Sequence, residues 1–314
     1  MSSIDTAVQH DLPSAGTAGA EQLPSRMLIG RDRLFYSGLV GNSLKPRCGG
    51  AITVYIATDA ALEIRIADGA WESRRIVAVP PFTPHRLRTA SGYIANLCLE
   101  PETIDQDAID AFIARLNRGG DDGGLIGRIL TARREVTVSR DVGGFSTAWF
   151  DRAFLGQTLE PRTVDARIRR VLDMLVDDLQ DNAVSAAVCG TAIGLSTSRF
   201  LHLFKENTGI PFRSLRMWKR ARRFLDHANR EDSLTDVALG LGYPDSSHFS
   251  HSIRASFGLQ PRAIREGSRG MRVCVGENYA LSHSLDGCLQ RDEAGVGVGH
   301  APFPRAVHED FNPP

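Results

Sequence analysis

One pattern occurs twice in this chain, at residues 189–209 and 237–258, and it restricts the fold more than any other feature. Each copy reads as a short helix, a turn holding a glycine, a capping residue, a longer helix and a glycine stop. Gly194 and Gly242 give the backbone freedom that a tight helix–helix turn needs. Ser196 and Asp245 are good N-caps, because their side-chain oxygens accept from the orphan amides of the following turn. Phe200, Leu203 and Phe204 form an i, i+3, i+4 stripe that buries the first long helix. Phe249, Ile253 and Phe257 do the same in the second. The faces left free carry Ser198, Arg199, Leu201, His202 and Lys205 in one copy, and Ser247, His248, Ser250, His251 and Arg254 in the other. Small, hydrogen-bonding side chains suit base edges in a major groove, where a bulky or acidic face would not enter.

Between the copies, residues 211–227 predict one long helix. Pro211 fits a first turn, where its missing N–H costs nothing. Leu215, Trp218, Ala221 or Arg222, and Leu225 make its packing stripe, and Arg216, Lys219, Arg220 and Arg223 give a basic flank suited to phosphates. The charge distribution agrees. Residues 196–269 hold 13 Lys and Arg against seven Asp and Glu, in a chain of zero net charge. The alternative is a helical bundle with a solvated basic face; two capped copies with glycine stops weigh against it.

The chain's 314 residues are a soft prior for two domains. Residues 1–25 lack periodicity and read as a disordered leader without the basic start and apolar stretch of a secretory signal. No apolar run reaches the roughly 18 residues of a membrane span, so a cytoplasmic protein is expected. Residues 26–101 are punctuated by Gly, Pro and Asp, with strand-like stretches at 34–40, 51–56, 62–66, 76–79 and 93–99; a small sandwich or barrel follows. Residues 102–162 read as a helical connector. It has a stripe at Ile109, Phe112, Ile113 and Leu116, and further helices at 125–134 and 145–154. A dimer seam and packing on the barrel are equal readings of that stripe. Residues 165–181 give an amphipathic helix with Ile168, Val171, Leu172, Leu175 and Leu179 on one face. It opens a helical domain of residues 163–268, and residues 269–314 read as a poorly ordered tail. The fold class is therefore α+β.

Chemistry is sparse. Five cysteines without a C-x-x-C pair read as reduced thiols rather than a disulfide framework or zinc site. No H-E-x-x-H, Ser-His-Asp order or phosphate-cradling Gly loop occurs, so no catalytic residue, metal or cofactor is assigned.

Residues 234–265 carry Leu234-x-x-Val237-Ala238-x-x-x-Gly242-Tyr243-x-Asp245-x-Ser247-His248-Phe249-Ser250, then Phe257-Gly258-x-x-Pro261-x-x-x-Arg265. The first copy adds Gly194-x-Ser196, Phe200, Leu203-Phe204-Lys205 and Thr208-Gly209. These residues resemble the DNA-binding domain of the AraC/XylS family of transcription regulators, over about a third of the chain. The resemblance implies a double helix-turn-helix whose recognition helices enter successive major-groove segments of duplex DNA, about one helical turn or roughly 34 Å apart. Carried over position by position, it implies base contacts by Ser198, Leu201, His202, Ser247, Ser250 and His251, and phosphate contacts by Ser196, Arg199, Lys205 and Arg254; Arg216 and Lys219 join these from the basic flank. His202 and His251 stand where the family often has Arg, and lose the bidentate fork and permanent charge. Cys189 and Gly190 replace a usual Leu and Ala, Gly209 to Pro211 is one residue tighter than the common spacing, and Gln260 replaces a usual Ser. The first unit is expected to bind less tightly than the second.

The resemblance also implies an N-terminal cupin-like barrel that senses a small molecule or dimerises. Residues 75–87, with Pro84-His85, are similar to a barrel segment of that kind. A lone His85 cannot build a metal site, and it stands as a candidate effector contact or a structural residue. A homodimer is expected, since two subunits double the sequence read, and RNA polymerase is a further candidate partner. The competing function is a small-molecule-binding cupin enzyme with an accessory helical domain.

Overall fold

The computed structural model describes residues 24–40, 45–58, 60–118, 124–139, 143–177 and 184–279. Nearly all of the expected leader, the tail beyond residue 279 and Leu179 lie outside them. Eight strands come first: β1 (Arg26–Ile29), β2 (Arg33–Leu39), β3 (Ile52–Ile56), β4 (Leu62–Ile66), β5 (Glu72–Arg74), β6 (Ile76–Val79), β7 (His85–Arg88) and β8 (Tyr93–Leu99). Ten helices follow: α1 (Gln106–Asn117), α2 (Leu125–Val138), α3 (Thr147–Leu155), α4 (Ala166–Asp177), α5 (Ala186–Ala192), α6 (Thr197–Thr208), α7 (Phe212–Arg223), α8 (Leu234–Gly240), α9 (Ser246–Phe257) and α10 (Pro261–Gly267). A last strand, β9 (Arg272–Val275), closes the described chain.

The class is α+β. Six strands form one sheet in the order β6-β3-β8-β2-β1-β9, and three form a second in the order β5-β4-β7. Val40, Tyr55, Leu62, Ile64, Val77, Val79, Leu87 and Ile94 fill the space between the sheets. Among the described residues no ladder joins the two sheets into a closed barrel. The large sheet is covered on both faces, which is why β1 and β3 read as continuous apolar runs rather than alternating ones. One face packs Phe35, Val54 and Leu97 against Ile109, Phe112, Ile129, Phe150 and Phe154 of α1–α3. Phe35 stacks on Phe154 with ring centroids 4.6 Å apart. The stripe of α1 is therefore spent on its own sheet, and the dimer reading of it loses its basis. Asn117 pins the helix end to β6: its Nδ2 donates to the Ala78 carbonyl at 2.8 Å and its Oδ1 accepts from the Ala78 amide at 2.9 Å.

Residues 269–279 are not a loose tail. β9 pairs parallel with β1, from Arg26 opposite Arg272 to Ile29 opposite Val275. Met271 and Tyr279 are buried with Met27, Ile29 and Leu34. The C-terminal end of the helical domain is thus tied to the large sheet. The apolar run Val273, Cys274, Val275 is the available signal, but three residues flanked by Gly270, Arg272, Gly276 and Glu277 give periodicity too little length to register.

Helix α7 is the main contact between the halves. Trp218 Nε1 donates to Glu100 Oε2 at 3.0 Å. Lys219 Nζ lies 2.9 Å from Glu100 Oε2 and 2.5 Å from Glu102 Oε1, and Arg222 Nε lies 2.9 Å from Glu100 Oε1. Glu100, Glu102, Lys219 and Arg222 are all buried, so two carboxylates and two cations compensate each other away from water. Burial pushes the Glu102 carboxyl up, against the pull of Lys219. Burial also opposes charge on Lys219, but Glu100 and Glu102 outweigh it and its pKa stands above the ordinary value. Gly50 makes the approach possible, because a Cβ there would fall 2.4 Å from Trp218 Cγ.

Candidate nucleic-acid interface

Each helix-turn-helix is built by the same local chemistry. Gly194 and Gly242 have φ of 69° and 74°, the left-handed region that reverses a helix within two residues. After the turn, the Leu195 amide donates to the Gly190 carbonyl at 2.8 Å, and the Tyr243 amide donates to the Ala238 carbonyl at 2.9 Å. The caps then start the recognition helices. Ser196 Oγ accepts from the Arg199 amide at 3.5 Å. Asp245 Oδ1 accepts from the Ser247 and His248 amides, both at 2.8 Å. Below them, α6 is held by Phe200, Phe204 and Phe212, whose rings meet edge to face with centroids 5.0–5.7 Å apart. In the second unit Phe249 packs against Phe224 and Tyr243, at 5.2 and 5.3 Å.

Both recognition helices rest their C-terminal ends on the rest of the protein. Near the end of α6, Asn207 Oδ1 accepts from the Asp165 amide at 2.8 Å. Near the end of α9, the Ala255 carbonyl accepts from the Cys48 amide at 2.7 Å. The capped N-terminal turns face solvent, and those are the turns a helix-turn-helix sends toward base edges.

The site residues divide by burial. Ser198, Leu201, His202, Ser247 and His251 are exposed, and Ser250 is half-buried. Leu201 is 40% exposed, so its side chain is available at the surface of α6. Ser196, Arg199 and Lys205 are exposed on α6 and its cap, while Arg216 and Arg254 are half-buried. Lys219 must be corrected. It is 6% exposed and spends its charge on Glu100 and Glu102, so it has no reach to a phosphate. Pattern reading placed it on the basic flank because the carboxylates that bury it lie more than a hundred residues away in sequence. Sequence reading also missed that Asp245 does more than cap: its Oδ2 lies 2.8 Å from His248 Nδ1 and holds that ring at the exposed start of α9. The i, i+3 spacing was the available signal.

His85 lies in the N-terminal part, away from these helices' free faces, and is 3% exposed. Its Nδ1 is 2.9 Å from the Thr83 carbonyl, which can only accept, so Nδ1 carries the proton. Nε2 then accepts from the Tyr55 hydroxyl at 2.8 Å. Burial brings the imidazole pKa down to about 4, with Arg47 acting in the same direction against the Thr83 hydrogen bond.

Comparison with known proteins bears on the helical part. Residues 189–267 match the family model described as a helix-turn-helix domain. The chain is 36% identical over 106 residues to the HTH-type transcriptional activator RhaS of Escherichia fergusonii, covering 33% of this chain and 37% of that protein. It is 34% identical over 106 residues to RhaS of an Enterobacter species, with the same shares of each chain. The matched region thus spans little more than a third of the length of these curated relatives. Among solved structures, apo ToxT from Vibrio cholerae aligns over 75% of this chain and 97% of its own at 12% identity, with a TM-score of 0.48. The DNA-binding domain of AdpA, solved with a target DNA, aligns over 34% of this chain and 96% of its own at 18% identity, with a TM-score of 0.31. The two glycine-turned, capped and exposed helices α6 and α9 lie within residues 189–267, so that part of the chain is a helix-turn-helix domain, and over a third of its length the chain is similar to the RhaS transcriptional activators.

Proposed function

We propose that the whole chain is a sequence-specific transcription regulator that reads duplex DNA with α6 and α9 and is tuned by a small molecule bound to its N-terminal part. One observation carries the reading: both recognition helices present a capped, solvent-facing N-terminal turn with small polar side chains above an aromatic core. Ser198, Leu201, His202, Ser247, Ser250 and His251 are the base contacts in this reading. Ser196, Arg199, Lys205, Arg216 and Arg254 contact phosphates. The two-sheet N-terminal part serves as a cupin-like effector domain, with His85 among the buried polar groups near its ligand. The regulator works in the cytoplasm as a homodimer, with RNA polymerase as a further partner.

Selection of bound duplexes from a random pool, followed by gel-shift titration against salt, tests this. The reading expects enrichment of a defined site, bound about 10³-fold or more tightly than scrambled DNA, with affinity falling steeply as salt rises. Equal affinity for every duplex would reject it.

A further inference from the structure

The two recognition helices open on different pairs of side chains. Counted from the cap, Ser196 and Arg199 of the first unit correspond to Asp245 and His248 of the second. The same cap bond ties each pair: the Arg199 amide donates to Ser196 Oγ, and the His248 amide donates to Asp245 Oδ1. The first pair brings a positive charge to its exposed turn. The second brings a negative charge for as long as the imidazole is neutral.

Hydrogen bonds from the His248 amide and ring hold the Asp245 carboxyl below the ordinary carboxylate range. A carboxylate can only accept, so His248 Nδ1, 2.8 Å from Asp245 Oδ2, carries a proton. Nε2 is then the nitrogen left for another partner. It accepts while the ring is neutral and donates once the ring takes a second proton. The ring is also well placed. Phe249, Ile253 and Phe257 face the core, and a helix turns about 100° per residue, so the middle of the free face of α9 falls between positions 248 and 251. The His248 side chain is 71% exposed and that of Asp245 51%. No described group of another element pairs with the ring. On its own helix the next titratable side chain is His251, three residues on.

We infer that His248 is a proton-dependent DNA contact: in its charged form Nε2 donates to a backbone phosphate, at the position Arg199 holds in the first unit, and the second unit takes up a proton there as it binds. The inference rests on the DNA reading given above and adds a regulation to it. A phosphate on the far side of the ring leaves the imidazole between two anions, and both favour its charged form. With a neutral ring the same turn carries an uncompensated Asp245 toward the phosphates, which repel it. Arg199 stays charged throughout. Falling pH therefore tightens the grip of the second unit and leaves this contact of the first unit unchanged.

The test is a gel-shift titration of the full chain on a selected duplex, at about pH 8 and about pH 6 with ionic strength held constant, a range over which an imidazole changes charge. The wild type is expected to bind more tightly at the lower pH. His248→Gln keeps a polar side chain that never charges, and is expected to gain about tenfold less on acidification, the worth of one charge-assisted hydrogen bond. Any contribution of His202 and His251 is present in both proteins, so the difference belongs to His248. His248→Arg should bind tightly at both values. Asp245→Asn keeps a side chain able to cap the helix and removes the charge, so it should bind more tightly than the wild type at the higher pH and gain less at the lower. Specific binding with the same gain in the wild type and in His248→Gln overturns the inference and leaves the DNA reading standing. A wild type that binds no duplex specifically at either pH overturns both.

Discussion

The two helix-turn-helix units share a backbone and differ in how firmly each is started and what each ends against. The first opens on Ser196, with one hydrogen bond at 3.5 Å, and rests on three phenylalanines of its own domain. The second opens on Asp245, with two at 2.8 Å, and its far end touches Arg47 and Cys48 of the N-terminal part. The second unit is therefore the one whose long helix touches the two-sheet part directly. The first is reached through α7 and through Arg162 and Asp165.

The two units should respond most strongly, and separately, when one core is emptied at a time. Phe200→Ala and Phe249→Ala each remove a fully buried ring, and each is expected to cost about 3–5 kcal/mol. Denaturant titration gives the cost, and footprinting should show each variant losing a different half of the protected DNA. Loss of both halves in either variant would mean that the units do not act separately.

Glu100→Gln should fall on both units together, because α7 sits between them. It leaves Lys219 and Arg222 short of a buried counter-charge, at a cost of about 3–5 kcal/mol. The expected outcome is a lower urea midpoint with both halves of the footprint weakened equally. An unchanged midpoint would show that the cluster does not hold the halves together.

Acid should act first in the N-terminal part. The pKa of His85 is about 4 in the folded chain and roughly 6.5 when unfolded. The unfolded state therefore takes up the proton first. The contribution of a neutral His85 is complete above about pH 6.5 and is lost as pH falls toward 4, by about 3 kcal/mol in all. The thermal midpoint should drop across that window, and in His85→Asn the drop should shrink. An identical pH profile in the variant would contradict the buried, neutral imidazole.

Capping gives the smallest effects and the sharpest comparison. Asp245→Ala should cost about 1–2 kcal/mol and Ser196→Ala about 0.5 kcal/mol, since the aspartate caps two amides and holds His248 while the serine caps one weakly. Equal costs in urea titrations would remove the asymmetry between the units.

The helical part was legible from sequence because its determinants are local. Gly194, Ser196 and Phe200 act within one turn of chain, as do Gly242, Asp245 and Phe249, and all stand where the spacing puts them. What escaped is long-range. Lys219 was read as a phosphate contact because its own helix is basic, while Glu100 and Glu102 come from the other half of the chain. β9 finds its place only by pairing with β1, at the far end of the described residues. The stripe of α1 could face a partner or a sheet on equal terms until Phe112 and Leu116 were found against the latter. Arg47 drew no notice in the sequence, since one arginine in a loop gives no hint that it is buried beneath a glycine of a recognition helix.

In the proposed function, α6 and α9 enter two adjacent major-groove segments of one duplex. Hydroxyl-radical footprinting of the full chain on a selected duplex tests it most directly, run beside His202→Ala and His251→Ala. The account predicts two protected stretches on one DNA face, centred about one helical turn or roughly 34 Å apart, with each substitution weakening its own stretch. A single protected stretch, or both substitutions weakening the same one, would contradict it.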